Sequence, residues 1–147
     1  MNGSKCTRTI RAAACAITVA IVAASATVGS AEERVVERAA KAQSGKDVRI
    51  GVFINVRPDC TSGPLPAIRL SAAPSNGRVT VRKANITGTN YKQCLALQVP
   101  AFVAIYRSNT NFNGVDTLEL EVKYPSGRSE IQKYRITVAP SPASEPI

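Results

Sequence analysis

The 147-residue sequence contains no histidine and no tryptophan. A Ser–His or Cys–His nucleophile pair is therefore impossible, and zinc loses its commonest nitrogen ligand. Serine and lysine are both present, so a Ser–Lys dyad is open in principle, but no motif selects one. Calcium requires roughly 6–8 oxygen ligands, usually from clustered acids. Asp47, Asp59 and Asp116 instead stand alone in the sequence. The inventory predicts no catalytic residue, no metal site and no cofactor, and the chain reads as a non-enzyme.

The remaining side chains with chemical potential are basic. The formal charge is +9, and Arg78, Arg82, Lys83 and Lys92 form the densest group, with Tyr91 beside them. As a site they would attract an anionic glycan or an anionic lipid surface. The plainer reading is a solvated outer face. Too few aromatics interleave with the cations for a nucleic-acid groove, so nucleic acid is not an expected partner.

Part of that charge belongs to a targeting segment. Lys5, Arg8 and Arg11 precede an apolar or small run from Ala12 to Ala24, and small residues follow. This order predicts a secretory signal peptide over residues 1–31, cleaved after Gly29-Ser30-Ala31, with Ala24-Ser25-Ala26 as a second choice. The apolar run is shorter than the roughly 20 residues that span a bilayer. The mature chain would then keep sixteen basic and ten acidic residues, a charge of +6. No later stretch is apolar and long enough to span a membrane, so the expected location is the periplasm or the extracellular space. Of four cysteines, Cys6 and Cys15 leave with the signal, and Cys60 and Cys94 remain. In an oxidising compartment these two are expected to form a disulfide.

The elements that must carry these residues are strands. Residues 32–46, rich in Glu, Ala, Lys and Arg, read as a linker or short helix by propensity. From residue 47 to residue 139 apolar residues alternate in short runs separated by turn residues. Val48, Ile50, Val52, Ile54 and Val56 share one parity. Ala67 to Ala72, Arg78 to Lys83, Cys94 to Val99, Phe102 to Tyr106, Thr117 to Tyr124 and Arg128 to Val138 give further strands. Pro74-Ser75-Asn76-Gly77 reads as a turn whose Asn-Gly pair is a hairpin signal, residues 84–92 as a polar loop, and Pro100 as a strand stop. About seven short strands without an internal helix predict an all-β antiparallel sandwich or small barrel, with the sandwich preferred. Residues 140–147 read as a disordered tail.

The last hairpin can be registered in advance. A three-residue loop, Pro125 to Gly127, pairs Leu118 with Tyr134, Glu119 with Lys133 and Thr117 with Arg135. A two-residue loop would pair Leu120 with Lys133 and bury a charge. The odd loop requires Gly127 at positive φ.

Two stretches resemble bacterial cadherin-like or immunoglobulin-like repeats. Pro74 to Val81 is similar to the "P-x-N-G-x-V-x-V" strand entry, with Asn76 and Gly77 in place. Tyr106 to Val122 is similar to the "Y-x-P-x-x-x-F-x-G-x-D-x-F-x-Y-x-V" run, with Phe112, Gly114 and Asp116 in place, and Ser126-Gly127 matches the turn that follows. The resemblance implies a single immunoglobulin-like sandwich, with Phe112 plugging its end, Gly114 allowing close approach and Asp116 capping a turn. Asn109 departs from the usual proline, and the long stretch from Lys83 to Gln98 is atypical. The resulting expectation is an exported, non-catalytic binding or structural module of the bacterial envelope. Its partner would be an unidentified protein or envelope component, or else an acidic polysaccharide or anionic lipid.

Overall fold

A computed structural model describes residues 33–142. The expected signal peptide, and residues 143–147 of the expected tail, lie outside the described residues. Residues 140–142 carry no regular structure. The chain is all-β, and its two sheets form an open, sandwich-like arrangement. In chain order the strands are β1 (Glu33–Gln43), β2 (Asp47–Phe53), β3 (Ala67–Ala72), β4 (Gly77–Tyr91), β5 (Cys94–Ser108), β6 (Gly114–Lys123) and β7 (Ser129–Ala139). One sheet runs β1-β7-β6-β3 and the other β2-β5-β4. Among the described residues no helix is long and apolar enough to cross a membrane.

Strand β1 corrects the helix or linker expected over 32–46. It pairs in parallel with the whole of β7, from Glu33 opposite Ser129 to Gln43 opposite Ala139. Helix propensities differ by only about 0.7 kcal/mol per ordinary residue. An eleven-residue ladder that also places Ala40 and Ala42 against the core outweighs them. The four-stranded sheet therefore takes in β1, ahead of residue 47.

The β6–β7 hairpin has the expected register: Leu118 faces Tyr134, Glu119 faces Lys133 and Thr117 faces Arg135. Tyr124 N–H donates to the Arg128 carbonyl at 2.9 Å, which closes the three-residue loop, and Gly127 has φ +88°.

Two other expectations give way to pairing. Residues 84–92 are mostly strand, because Ile86 lies opposite Val99 and the rest of the segment follows β5 in unbroken register. Strand β5 also continues through Pro100. Strand β2 ends at Phe53, opposite Phe102, so β5 has a ladder on one side only at Pro100. That is where a missing N–H costs least. The Pro74–Gly77 turn is not a hairpin but a crossing from one sheet to the other.

A bulge in β2 corrects the single parity expected from Val48 to Val56. Arg49 faces Ile105 and Gly51 faces Ala104, so Ile50 is an extra residue. Side chains beyond it change sides. Val48 and Ile50 pack on the main core and Phe53 is buried in it, whereas Val52 is 38% exposed. Ile54 and Val56 join a second cluster. Gly51 is needed at the bulge, since a Cβ there would lie 2.8 Å from the Tyr134 hydroxyl.

The main core unites Phe53, Ala104, Tyr106, Leu118, Leu120, Val122, Tyr134, Ile136 and Val138. The second cluster holds Cys94, Leu97 and Val99, with Ile54, Val56, Cys60 and Ile86 against them. The expected Cys60–Cys94 disulfide is present within it. The buried parity of β5 changes between these regions, from Leu97, Val99 and Ala101 to Ala104, Tyr106 and Ser108. Alternation then puts the two clusters on opposite faces of the three-stranded sheet.

Candidate anionic interface

Charge is distributed unequally between the sheets. On the four-stranded sheet, Arg69 and Lys123 both engage Glu121, with Lys123 Nζ at 3.1 Å from its Oε1. Lys133 lies 3.3 Å from Glu119. Arg128, in the β6–β7 loop, lies 3.4 Å from Glu130. Hydrogen bonds from Lys123 and Arg69 hold the Glu121 carboxyl below its ordinary pKa.

The three-stranded sheet has no such balance. No Asp or Glu occurs between Asp59 and Asp116, while Arg69, Arg78, Arg82, Lys83, Lys92 and Arg107 fall in that interval. The register of β2, β5 and β4 assembles several of them. On the face away from the main core, three cross-strand rows lie side by side: Asp47–Arg107–Arg78, Arg49–Ile105–Thr80 and Val52–Val103–Arg82. Strand spacings make this grid about 10 Å by 13 Å. Four guanidinium groups thus surround a floor of Ile105, Val103, Val52 and Thr80. Arg49, Arg78 and Arg82 are exposed, and Ile105 and Val103 are half-buried.

One carboxylate interrupts the field. Arg107 Nε lies 2.7 Å from Asp47 Oδ1, close enough for an ion pair although the oxygen is off the N–H axis. It is the only ion pair on this sheet among the described residues. Both side chains are largely solvated, so the pair contributes little to stability. It does soften the direct opposition of Arg78 and Arg107, which on its own is unfavourable. Such a surface holds an anion through several charge-assisted hydrogen bonds at once.

Of the residues singled out from the sequence, Arg78 and Arg82 share this face. Lys83, opposite Phe102, has the other parity, and Lys92 sits in the β4–β5 loop with its ammonium 5.5 Å from the Tyr91 ring centre. Arg49 and Arg107 are the additions. Arg107 falls in the acid-free interval and Arg49 lies outside it, and only the order β2-β5-β4 brings them beside Arg78 and Arg82.

The turn-associated residues have structural tasks. Asp116 is 3% exposed and receives four bonds. Its Oδ1 accepts from Ser75 N at 3.1 Å and from Thr117 N at 3.0 Å. Its Oδ2 accepts from Asn76 N at 3.0 Å and from the Tyr106 hydroxyl at 2.8 Å. It therefore caps the remote Pro74–Gly77 crossing as well as the start of its own strand. Burial, and then the bond to Asp116, push the Tyr106 phenol well above its ordinary pKa. The Asn76 carbonyl accepts from Asn109 N at 2.8 Å. At Gly77 a Cβ would lie 2.6 Å from the Arg107 carbonyl, so close approach fixes that glycine. Phe112 packs against the main core beside Gly114, whose φ of +132° excludes other residues.

Among the described residues no three acids or cysteines gather as a metal site would require. No family profile and no curated protein matches the chain.

Proposed function

We propose that the chain is an exported, non-catalytic immunoglobulin-like module of the bacterial envelope that binds a polyanionic partner through the outer face of β2, β5 and β4. The observation that carries this reading is the four-arginine grid on strands that hold Asp47 as their only acid. Two features support the immunoglobulin-like assignment. The runs β2-β5-β4 and β3-β6-β7 correspond to B-E-D and C-F-G of that sandwich. The crossing between β3 and β4 is tied to the start of β6 by Asp116, in the two stretches that resemble cadherin-like repeats. The order of cations, apolar run and small residues at the start of the chain, together with the disulfide, supports export.

The test is retention on an acidic polysaccharide matrix as salt is raised. Exposed charge pairs weaken steeply over that range. Arg78→Glu with Arg82→Glu is expected to abolish retention at low salt without lowering the thermal midpoint, since both side chains are exposed. Retention of this variant equal to that of the parent would refute the assignment of the face.

A further inference from the structure

We propose that the apex of the β4–β5 hairpin, Tyr91 to Leu95, enters the interfacial zone of an anionic lipid bilayer. The inference rests on the polyanion reading and names the source of the anionic groups. Leu95 is 79% exposed, the most exposed large apolar side chain among the described residues, and Tyr91 beside it is 36% exposed. This exposure does not come from a loose end. Cys94, the neighbour of Leu95, is 2% exposed and bonded to Cys60, so the base of the apex is fixed within the second cluster. Presenting Leu95 to a partner therefore requires no further ordering of the chain.

The loop geometry adds an independent observation. Tyr91 pairs with Cys94, leaving Lys92 and Gln93 as the connection, and Lys92 has φ +51°. Glycine is the residue that takes such a position without strain. A lysine kept in an unfavourable backbone conformation points to a task for its side chain. Its ammonium lies over the Tyr91 ring, and Arg57 lines the small cavity of about 170 Å³ shared with Tyr91 and Lys92. Asp59, two residues after Arg57, is occupied by Thr61, whose N–H and hydroxyl donate to it at 3.1 Å and 2.6 Å.

An apolar residue at the end of a hairpin whose apex also holds Lys92 and Tyr91, with Arg57 beside them, fits a bilayer surface. Tyrosine favours the headgroup level, and a short apolar insertion holds when a basic surface assists it. Protein hot spots instead sit at the centre of a wider packed patch, and a soluble polyanion has no use for Leu95.

The experiment floats the purified protein with phosphatidylcholine vesicles, with and without phosphatidylglycerol, and in parallel measures its retention on sulfated dextran. Binding is expected only with phosphatidylglycerol, and it should survive salt better than retention on dextran does. Leu95→Ser is expected to lower vesicle affinity about tenfold while leaving dextran retention unchanged. Lys92→Gly should weaken vesicle binding yet keep or raise the thermal midpoint, because glycine relieves the positive φ. Unchanged vesicle binding by Leu95→Ser would overturn the proposal. So would parent protein held by dextran but not by phosphatidylglycerol, an outcome that leaves the arginine face standing. Failure on both supports would remove both readings.

Discussion

The two apolar clusters of this protein share strands β4 and β5, yet they hold together differently. The main core draws on all seven strands and contains Leu120, Val122 and Ile136 at 0% exposure. The distal cluster has one hairpin, the chain from Ile54 to Cys60, and the disulfide. The first is closed by layers of side chains. The second covers a single face of a two-stranded ribbon, an arrangement of marginal stability by itself. A covalent clamp placed there stabilises the region that packing serves least.

The sharpest test of that contrast is a pair of truncations. Leu120→Ala is expected to cost about 4 kcal/mol and Leu97→Ala about 2 kcal/mol, read from denaturant midpoints of the whole chain. Equal losses would mean that the clusters are not distinct in kind. Replacing Cys60 and Cys94 by alanine should cost about 3 kcal/mol, somewhat below the loop-entropy ceiling because the distal cluster can open alone. Hydrogen exchange should then show residues 86–99 losing protection well before residues 118–122. Simultaneous loss would break the comparison.

Smaller effects probe what lies between the clusters. Asp116→Ala leaves Ser75 N, Asn76 N and the Tyr106 hydroxyl without their acceptor. A loss of about 2 kcal/mol is expected, partly recovered by Asp116→Asn, with thermal melts as the check. The weakest effect is a pH dependence on the four-stranded sheet. The folded pKa of Glu121 lies below its unfolded value. Its contribution is therefore complete above the unfolded pKa and disappears as pH falls through the folded one. Glu121→Gln should melt below the parent near neutral pH and match it in acid. A gap that persists in acid would assign the difference to packing rather than charge.

Some of this was readable in the residues and some was not. The β6–β7 register was, because a two-residue loop would have buried Lys133, and Gly127 marked the turn. The disulfide followed from compartment and count. Strand β1 was hidden by its own composition, since nothing in Glu33 to Gln43 announces a parallel partner that arrives at the far end of the chain. The alternation from Val48 to Val56 predicts one face because a bulge has no compositional signature, and Gly51 is its only trace. In the arginine grid, Arg78 and Arg82 were visible as near neighbours. Arg49 and Arg107 were not, because membership depends on strand order rather than on distance along the chain.

The extra residue in β2 decides more than a local kink. Were Ile50 itself paired with Ala104, with no residue left over, everything after it would shift by one pleat. Val52, Ile54 and Val56 would point into the body of the protein, Phe53 would be expelled, and the hairpin would be left with nothing to rest on. Whether this chain has one hydrophobic interior or two depends on a single residue being left out of a ladder.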